Sequence, residues 1–223
     1  MRKLDNTAVG TRQRILEVAG EVFAETGFKG ATVREICKRA DVNVAAINYY
    51  FGDKEGLYVA VLKYWKTVAF EKYPADQGVD EGDPPEKRLR VFIQSILWRI
   101  LDAGRASMLP KLVAREFIEP TSALDIWVDE AIRPMFELLS GIVEGLLGKG
   151  TPEATVRMCC TSVVGQCLYF VYARPVMKRL FGQGSFEKRD IEIIADHITA
   201  FSLHAIRGLA AGKKTGKKKG GTR

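Results

Sequence analysis

Between Gly27 and Lys54, helix-start and helix-stop signals follow one another so closely that only two short helices fit between two longer ones. Upstream, Ile15, Leu16, Ala19, Val22 and Phe23 recur on one face at helical spacing and lead into Gly27 and Phe28. A glycine there suits the left-handed residue that ends a helix, and Phe28 is placed to touch Phe23, the contact that accompanies such an end. Thr32 then caps a second helix with Glu35 three residues on, the pattern in which each side chain bonds the other's backbone N–H. Ile36 and Ala40 carry its buried face. Asp41 takes the tight turn, where the left-handed region is tolerated better by Asp than by most residues. Val42 packs inward, and Asn43 caps a third helix over about 44–50. Ile47 and Phe51 face inward on it, leaving Val44, Ala45, Ala46, Asn48 and Tyr49 on or near its outer side. Gly52 and Asp53 end it and open a fourth helix to about residue 72, with Leu57, Val61, Leu62, Trp65 and Ala69 as its apolar stripe.

The remainder reads as helical too, without an alternating strand pattern or an internal repeat. The fold class is all-α: an N-terminal helix-turn-helix bundle over 1–72, a Pro-, Gly- and Asp-rich linker at 73–85, and a larger helical domain over 86–211. Helices are expected at about 86–104, 106–118, 122–147, 152–173 and 187–210, with a short turn at 176–181. Residues 212–223, GKKTGKKKGGTR, offer nothing apolar to bury and are expected to be disordered.

The net charge of +7 does not by itself indicate DNA. Lys213, Lys214, Lys217, Lys218, Lys219 and Arg223 supply six of the seven charges, so residues 1–211 carry 28 basic and 27 acidic side chains. The tail adds only a sequence-independent attraction to polyanions. Cys37, Cys159, Cys160 and Cys167 lack metal-type spacing and have only His197 and His204 to help them, so neither a metal nor a cofactor is expected. Burial in the core is the leading reading of these cysteines, with a thiol sensor as the alternative. No apolar run approaches the ~20 residues of a membrane span and the N-terminus lacks a signal-peptide block, which points to a cytoplasmic protein without stable membrane association.

Two short helices joined by a tight turn, flanked by longer ones, form a helix-turn-helix whose second helix can enter the major groove. Thr32, Ile36, Ala40, Val42, Ile47, Tyr50, Phe51, Lys54 and Leu57 stand at the spacings of the TetR family of bacterial transcriptional regulators, and the resemblance covers Arg12 to about Val61. The segments AREFIEPTSALD, IRPMFELLSGIVEGLLG and SVVGQCLYFVYARPV are similar to the CecR-like branch. This resemblance implies a homodimer that binds palindromic double-stranded operator DNA, represses transcription and is released by a small-molecule effector.

It also implies roles for single residues. Thr32 resembles the family's phosphate contact, at a helix N-terminus where an anion is welcome; a plain cap is the other reading, and both can hold together. Lys54 resembles a second phosphate contact. A cation in the first turn of a helix opposes its dipole at a cost of ~0.3–1 kcal/mol, which a phosphate would reverse; the alternative is a solvated lysine balanced by Asp53 and Glu55. Tyr50 resembles a phosphate donor, and Tyr49 reaches either phosphate or base. Asn48 stands where the family usually has tyrosine, putting that contact in doubt while offering bidentate recognition of adenine. Val44, Ala45 and Ala46 permit close approach and contact with thymine methyls, or merely favour helix. Arg34 and Asn43 complete the expected DNA-binding set.

In the second domain, Ile191, Ile194, Ala195, Ile198, Phe201, Ser202, Ala205 and Leu209 mark one wide apolar face, and Cys160, Val163, Val164, Cys167 and Val171 another. Any surplus beyond the domain's own core suits the partner helices of a dimer. Trp98, Arg115, Glu116, Trp127, Gln166, Tyr169 and Tyr172 are amphipathic or polar residues on apolar helices and are the candidates for lining an effector pocket. Structural roles compete with that reading, Arg115 and Glu116 as a buried or interface ion pair among them. A helical enzyme or carrier without a DNA role is the alternative function, and membrane-surface association through the lysine tail a third.

Overall fold

A computed structural model describes residues 8–102, 104, 107–182 and 185–216, with side chains to residue 211. Every regular element among them is helical: α1 (Ala8–Gly30), α2 (Val33–Ala40), α3 (Val44–Phe51), α4 (Lys54–Lys72), α5 (Pro85–Leu101), α6 (Met108–Ile118), α7 (Ala123–Trp127), a π-helical turn (Val128–Ile132), α8 (Arg133–Leu147), α9 (Glu153–Tyr172), α10 (Arg174–Phe181) and α11 (Lys188–Gly216).

Packing divides the chain into two compact units, Met1–Lys72 with Gly104–Ala131, and Tyr73–Ala103 with Ile132–Arg223. The division differs from the expected split at the linker, because α6 and α7 pack on α1 and α4 although they follow residue 86 in the chain. Helix boundaries expected from capping agree to within a few residues. The helix expected over 122–147 is helical without a break from Ala123 to Leu147 but carries a π turn between α7 and α8, and the turn expected at 176–181 is a full eight-residue helix. The backbone of α11 is helical through Gly216, so the disorder expected from 212 onward is not seen there. Residues 217–223 lie outside the described residues.

The core of the first unit is built from Ile15, Leu16, Ala19, Val22 and Phe23 of α1, Ile36 and Ala40 of α2, Ile47 of α3, and Leu57, Tyr58, Val61, Leu62, Trp65 and Ala69 of α4, all buried. Phe23, Phe28 and Tyr58 form an aromatic cluster, with ring centroids 4.7 Å apart for Phe23–Tyr58 and 5.1 Å for Phe28–Tyr58. Gly20 is required where α1 meets α4: a β-carbon there would overlap the Trp65 indole.

The second unit gathers Leu89, Phe92, Ile93 and Leu97 of α5 with Leu139 and Val143 of α8, Cys160, Val163 and Cys167 of α9, and Ile191, Ala195 and Ile198 of α11. All four cysteines are buried and none forms a disulfide. Burial pushes the Cys167 thiol up to about 12 and raises Cys37 and Cys160, which favours the unreactive protonated form over a sensor's thiolate.

Candidate nucleic-acid interface

The turn chemistry of the helix-turn-helix is in place but for one arm of the capping box. Gly27 has φ 74°, breaking α1 where expected, and Phe28 stacks on Phe23 at 6.2 Å. Thr32 adopts extended backbone and its Oγ1 accepts a hydrogen bond from Glu35 N at 3.2 Å. The reciprocal arm of the expected capping box is absent, because the Glu35 carboxylate instead accepts from Arg39, which also bonds Glu25. Asp41 is left-handed with φ 50°, and Asn43 Oδ1 accepts from Ala46 N at 2.9 Å. Gly52 has φ 81°, and Asp53 Oδ1 accepts from Gly56 N at 2.8 Å to open α4. Each short helix therefore has one of its free N-terminal amides answered by a capping side chain.

These caps leave a defined outward face. Thr32, Arg34, Asn43, Val44, Ala45, Asn48 and Tyr49 are exposed, Tyr49 to 82%, whereas Ala46, Tyr50 and Phe51 are half-buried. Ile47 alone of α3 is fully buried, a narrow anchor that turns the rest of the helix outward. Tyr49 and Tyr50 meet edge to face at 4.9 Å, and Arg12 lies 5.3 Å from the centroid of the Phe51 ring. The Thr32 hydroxyl uses an oxygen lone pair for the cap, so its single O–H can still be donated.

Lys54 is not the solvated lysine balanced by Asp53 and Glu55 that the alternative reading gives. Its Nζ donates to the carbonyls of Phe28 at 3.0 Å and Ala31 at 3.2 Å, and it sits 4.5 Å from the centroid of the Phe28 ring. Asp53 is used by the α4 cap, and the Glu55 carboxylate accepts a short hydrogen bond from Ser122.

The seven residues expected to line an effector pocket do not share a unit. Arg115, Glu116 and Trp127 lie in the first. Arg115 donates to the carbonyls of Ala24 and Glu25 at the end of α1. Glu116 is 1% exposed and does not pair with Arg115: its carboxylate accepts from the Tyr58 hydroxyl at 2.7 Å and from Thr121 N and Oγ1 at 3.1 Å. Burial, followed by this carboxylate, raises the Tyr58 phenol far above its ordinary range. Trp127 lines a shallow pocket with Val59, Leu62, Ala123 and Ile126, bounded by Glu130 in ion pairs with Lys63 and Lys66.

Trp98, Gln166, Tyr169 and Tyr172 lie in the second unit. Trp98 stacks on Tyr73 at 5.6 Å, and Gln166 donates to Ser202 Oγ at 3.2 Å, joining α9 to α11. Tyr169 and Tyr172 are about half exposed and continue an outward face of α9. Sequence reasoning missed Arg99 and Arg174. Arg99, 4% exposed, bonds the Ser95 carbonyl and hydroxyl, and burial lowers its guanidinium pKa to about 10. Arg174 donates to the carbonyls of Ile100 and Leu101 that end α5.

A capped pair of short helices on a helical bundle, followed by a second helical unit, defines a DNA-binding helix-turn-helix transcriptional regulator. The profile of the bacterial regulatory proteins of the tetR family matches residues 15–61, and the C-terminal domain of the HTH-type transcriptional dual regulator CecR matches residues 85–206. The chain belongs to the TetR family, with a C-terminal domain of the CecR kind. It is 36% identical over 205 residues to the HTH-type transcriptional repressor NicS of Pseudomonas putida, and 24% identical over 207 residues to CecR of Shigella flexneri. Each of those alignments covers 89% of this chain and 92% of the relative. The fold is shared with a TetR-like regulator from Rhodococcus sp. RHA1, at TM-score 0.65 and 20% identity, over 90% of this chain and 97% of that one. It is shared also with AibR, solved in complex with isovaleryl coenzyme A and operator DNA, at TM-score 0.63 and 16% identity, over 86% and 97% of the two chains.

Proposed function

We propose that this regulator binds a palindromic operator in the bacterial cytoplasm as a homodimer, represses transcription, and is released by a small-molecule effector. The observation that carries the DNA reading is the outward face of α3, where Asn48 and Tyr49 are exposed beside the small residues Val44 and Ala45 on a helix anchored by Ile47. Small residues let the helix lie close to base edges. Asn48 supplies a bidentate amide for adenine, Tyr49 reaches base or phosphate, and Thr32, Arg34, Asn43 and Tyr50 surround them as backbone contacts. Repression and an effector are supported by the likeness to the repressor NicS and by AibR having been solved with both a coenzyme A ester and operator DNA.

The dimer reading rests on surplus apolar surface. In α11, Ile191, Ile194, Ala195, Ile198 and Ser202 face their own core, while Phe201, Ala205 and Leu209 face outward. In α9, Met158, Tyr169 and Tyr172 do the same, with the small residues Thr161, Ser162 and Gly165 exposed between them. That pattern lets a partner helix approach closely in the middle and meet large side chains at both ends. By length and composition α9 also reaches what a membrane span requires, with a mean hydropathy of 1.3 over its best window. Its buried residues Val156, Cys159, Cys160, Val163 and Cys167 belong to the core, so we assign its outer side to the partner subunit instead of lipid.

For the effector, Trp98 and Gln166 are the expected lining residues that remain half-buried in the second unit. Arg115 and Glu116 are engaged by α1, Tyr58 and Thr121. Anisotropy of a fluorescent duplex from upstream of the protein's own gene tests the reading. Retention at ~150 mM salt that weakens steeply as salt rises is expected, and no retention by a folded dimer overturns it.

A further inference from the structure

The helix proposed to read base edges has no charge of its own. α3 runs VAAINYYF, without an acidic or basic side chain, yet affinity for a duplex comes largely from cations that neutralise phosphates. Those cations must be supplied by neighbouring elements. Several basic side chains of the first unit are already engaged within it: Arg39 pairs with Glu25 and Glu35, Lys63 and Lys66 pair with Glu130, and Arg115 donates to the carbonyls of Ala24 and Glu25. Arg12 is different. It is exposed on α1 and, among the described residues, meets no carboxylate; its guanidinium lies over the Phe51 ring, 5.3 Å from the centroid.

Phe51 is the last residue of α3, and its ring ends an aromatic row on that helix. Tyr49 and Tyr50 meet at 4.9 Å, Tyr50 and Phe51 are 6.1 Å apart, and Arg12 follows on Phe51. The row therefore leads from Tyr49, 82% exposed, to a cation borrowed from α1. A cation–π contact consumes none of the five N–H donors of a guanidinium, so they remain for an anion. The ring also restrains the long side chain before any partner arrives, which lowers the entropy lost on binding. We infer that Arg12 is a further DNA-backbone contact, a phosphate ligand mounted on Phe51 at the C-terminal end of α3. This rests on the DNA-binding reading above and extends its contact surface to α1.

The test uses the full-length protein with Arg12→Met, which keeps an apolar stem on the ring without the charge, and Arg12→Lys, which keeps the charge. Affinities for the upstream duplex and for a scrambled duplex are measured from ~50 to 200 mM KCl, and thermal melting without DNA. Arg12→Met is expected to melt as the wild type and to bind both duplexes several-fold more weakly. Its slope of log affinity against log salt should be shallower by ~0.9 for each subunit bound, while Arg12→Lys keeps the wild-type slope. An unchanged slope in Arg12→Met overturns the inference: with an unchanged melt Arg12 is a solvated arginine, and with a lower melt it is only a clasp between α1 and α3. Weakening confined to the upstream duplex overturns it too, because a backbone contact carries no sequence information. Wild-type protein that retains neither duplex overturns the DNA reading and the Arg12 contact together, whereas wild-type binding with an unchanged slope in Arg12→Met leaves that reading standing and removes the contact alone.

Discussion

The outer face of α3 and the outer faces of α9 and α11 are both exposed, yet they differ in kind. On α3 the exposed residues are small or polar, with one tyrosine, and the helix is eight residues long with side-chain caps. On α9 and α11 they include Met158, Tyr169, Phe201 and Leu209, each about half exposed or more, on helices of 20 and 29 residues. A surface built for a polyanion cannot gain much from large apolar side chains, because affinity there comes from phosphate neutralisation and hydrogen bonds to base edges. A surface built for a second protein chain gains most from large apolar and aromatic groups. The two regions thus differ as the proposed DNA-binding and dimer faces should, and substitutions should separate their effects.

The largest effect is expected from Phe201→Glu. Placing a charge in the centre of an apolar helix face costs a dimer ~3 kcal/mol or more if the residue is a hot spot, a hundredfold or greater loss of association. Sedimentation should show monomer at micromolar concentration, with the helical spectrum retained and operator binding lost through the second half-site. A variant that remains dimeric would place the interface elsewhere and leave the outer face of α11 without a partner role.

Next comes Gly56→Ala, which acts inside the DNA-binding unit without touching its surface. A β-carbon at Gly56 would overlap the Phe51 carbonyl oxygen, so α3 and α4 must separate slightly. Overpacking of this sort costs ~1–3 kcal/mol. The melt should fall and DNA affinity should fall with it, while the dimer constant stays as in the wild type.

Asn48→Ala should act on sequence preference with little change in stability, since Asn48 is exposed and its side chain caps nothing. Loss of one bidentate base contact corresponds to ~1–3 kcal/mol of discrimination. Selection from a randomised operator library should show relaxed preference at one position of each half-site. Unchanged selectivity would shift the readout to Tyr49, Arg34 and DNA shape.

The features legible in the sequence were those whose physics is local. Gly27, Thr32, Asp41, Asn43 and Asp53 each act on backbone within about four residues, so residue type and spacing suffice to place them. What could not be read depends on partners far along the chain. Lys54 is held by carbonyls 23 and 26 residues away, and Glu116 by Tyr58 58 residues away. Glu116 and Arg115 looked like pocket residues because they are charged on an apolar helix. Their hydrogen bonds tie α6 to α1 and α4. The apolar faces of α9 and α11 were visible as periodicity, but which stripe faces the core and which faces outward is a tertiary matter.

The smallest effect, and the one that best divides stability from recognition, concerns Thr32. Its hydroxyl accepts from Glu35 N, so Thr32→Ala should cost ~1 kcal/mol through the lost cap and weaken DNA binding by a comparable factor. Thr32→Asp separates the two roles. Aspartate caps as well as threonine and favours the helix dipole, so the melt should match the wild type. It has no proton to donate, however, and its charge repels a phosphate. If Thr32 meets the DNA backbone, Thr32→Asp must bind more weakly than Thr32→Ala despite being the more stable protein, and the gap should narrow as salt rises. Equal binding by Thr32→Asp and wild type would make Thr32 a cap alone and restrict the DNA-facing surface to α3.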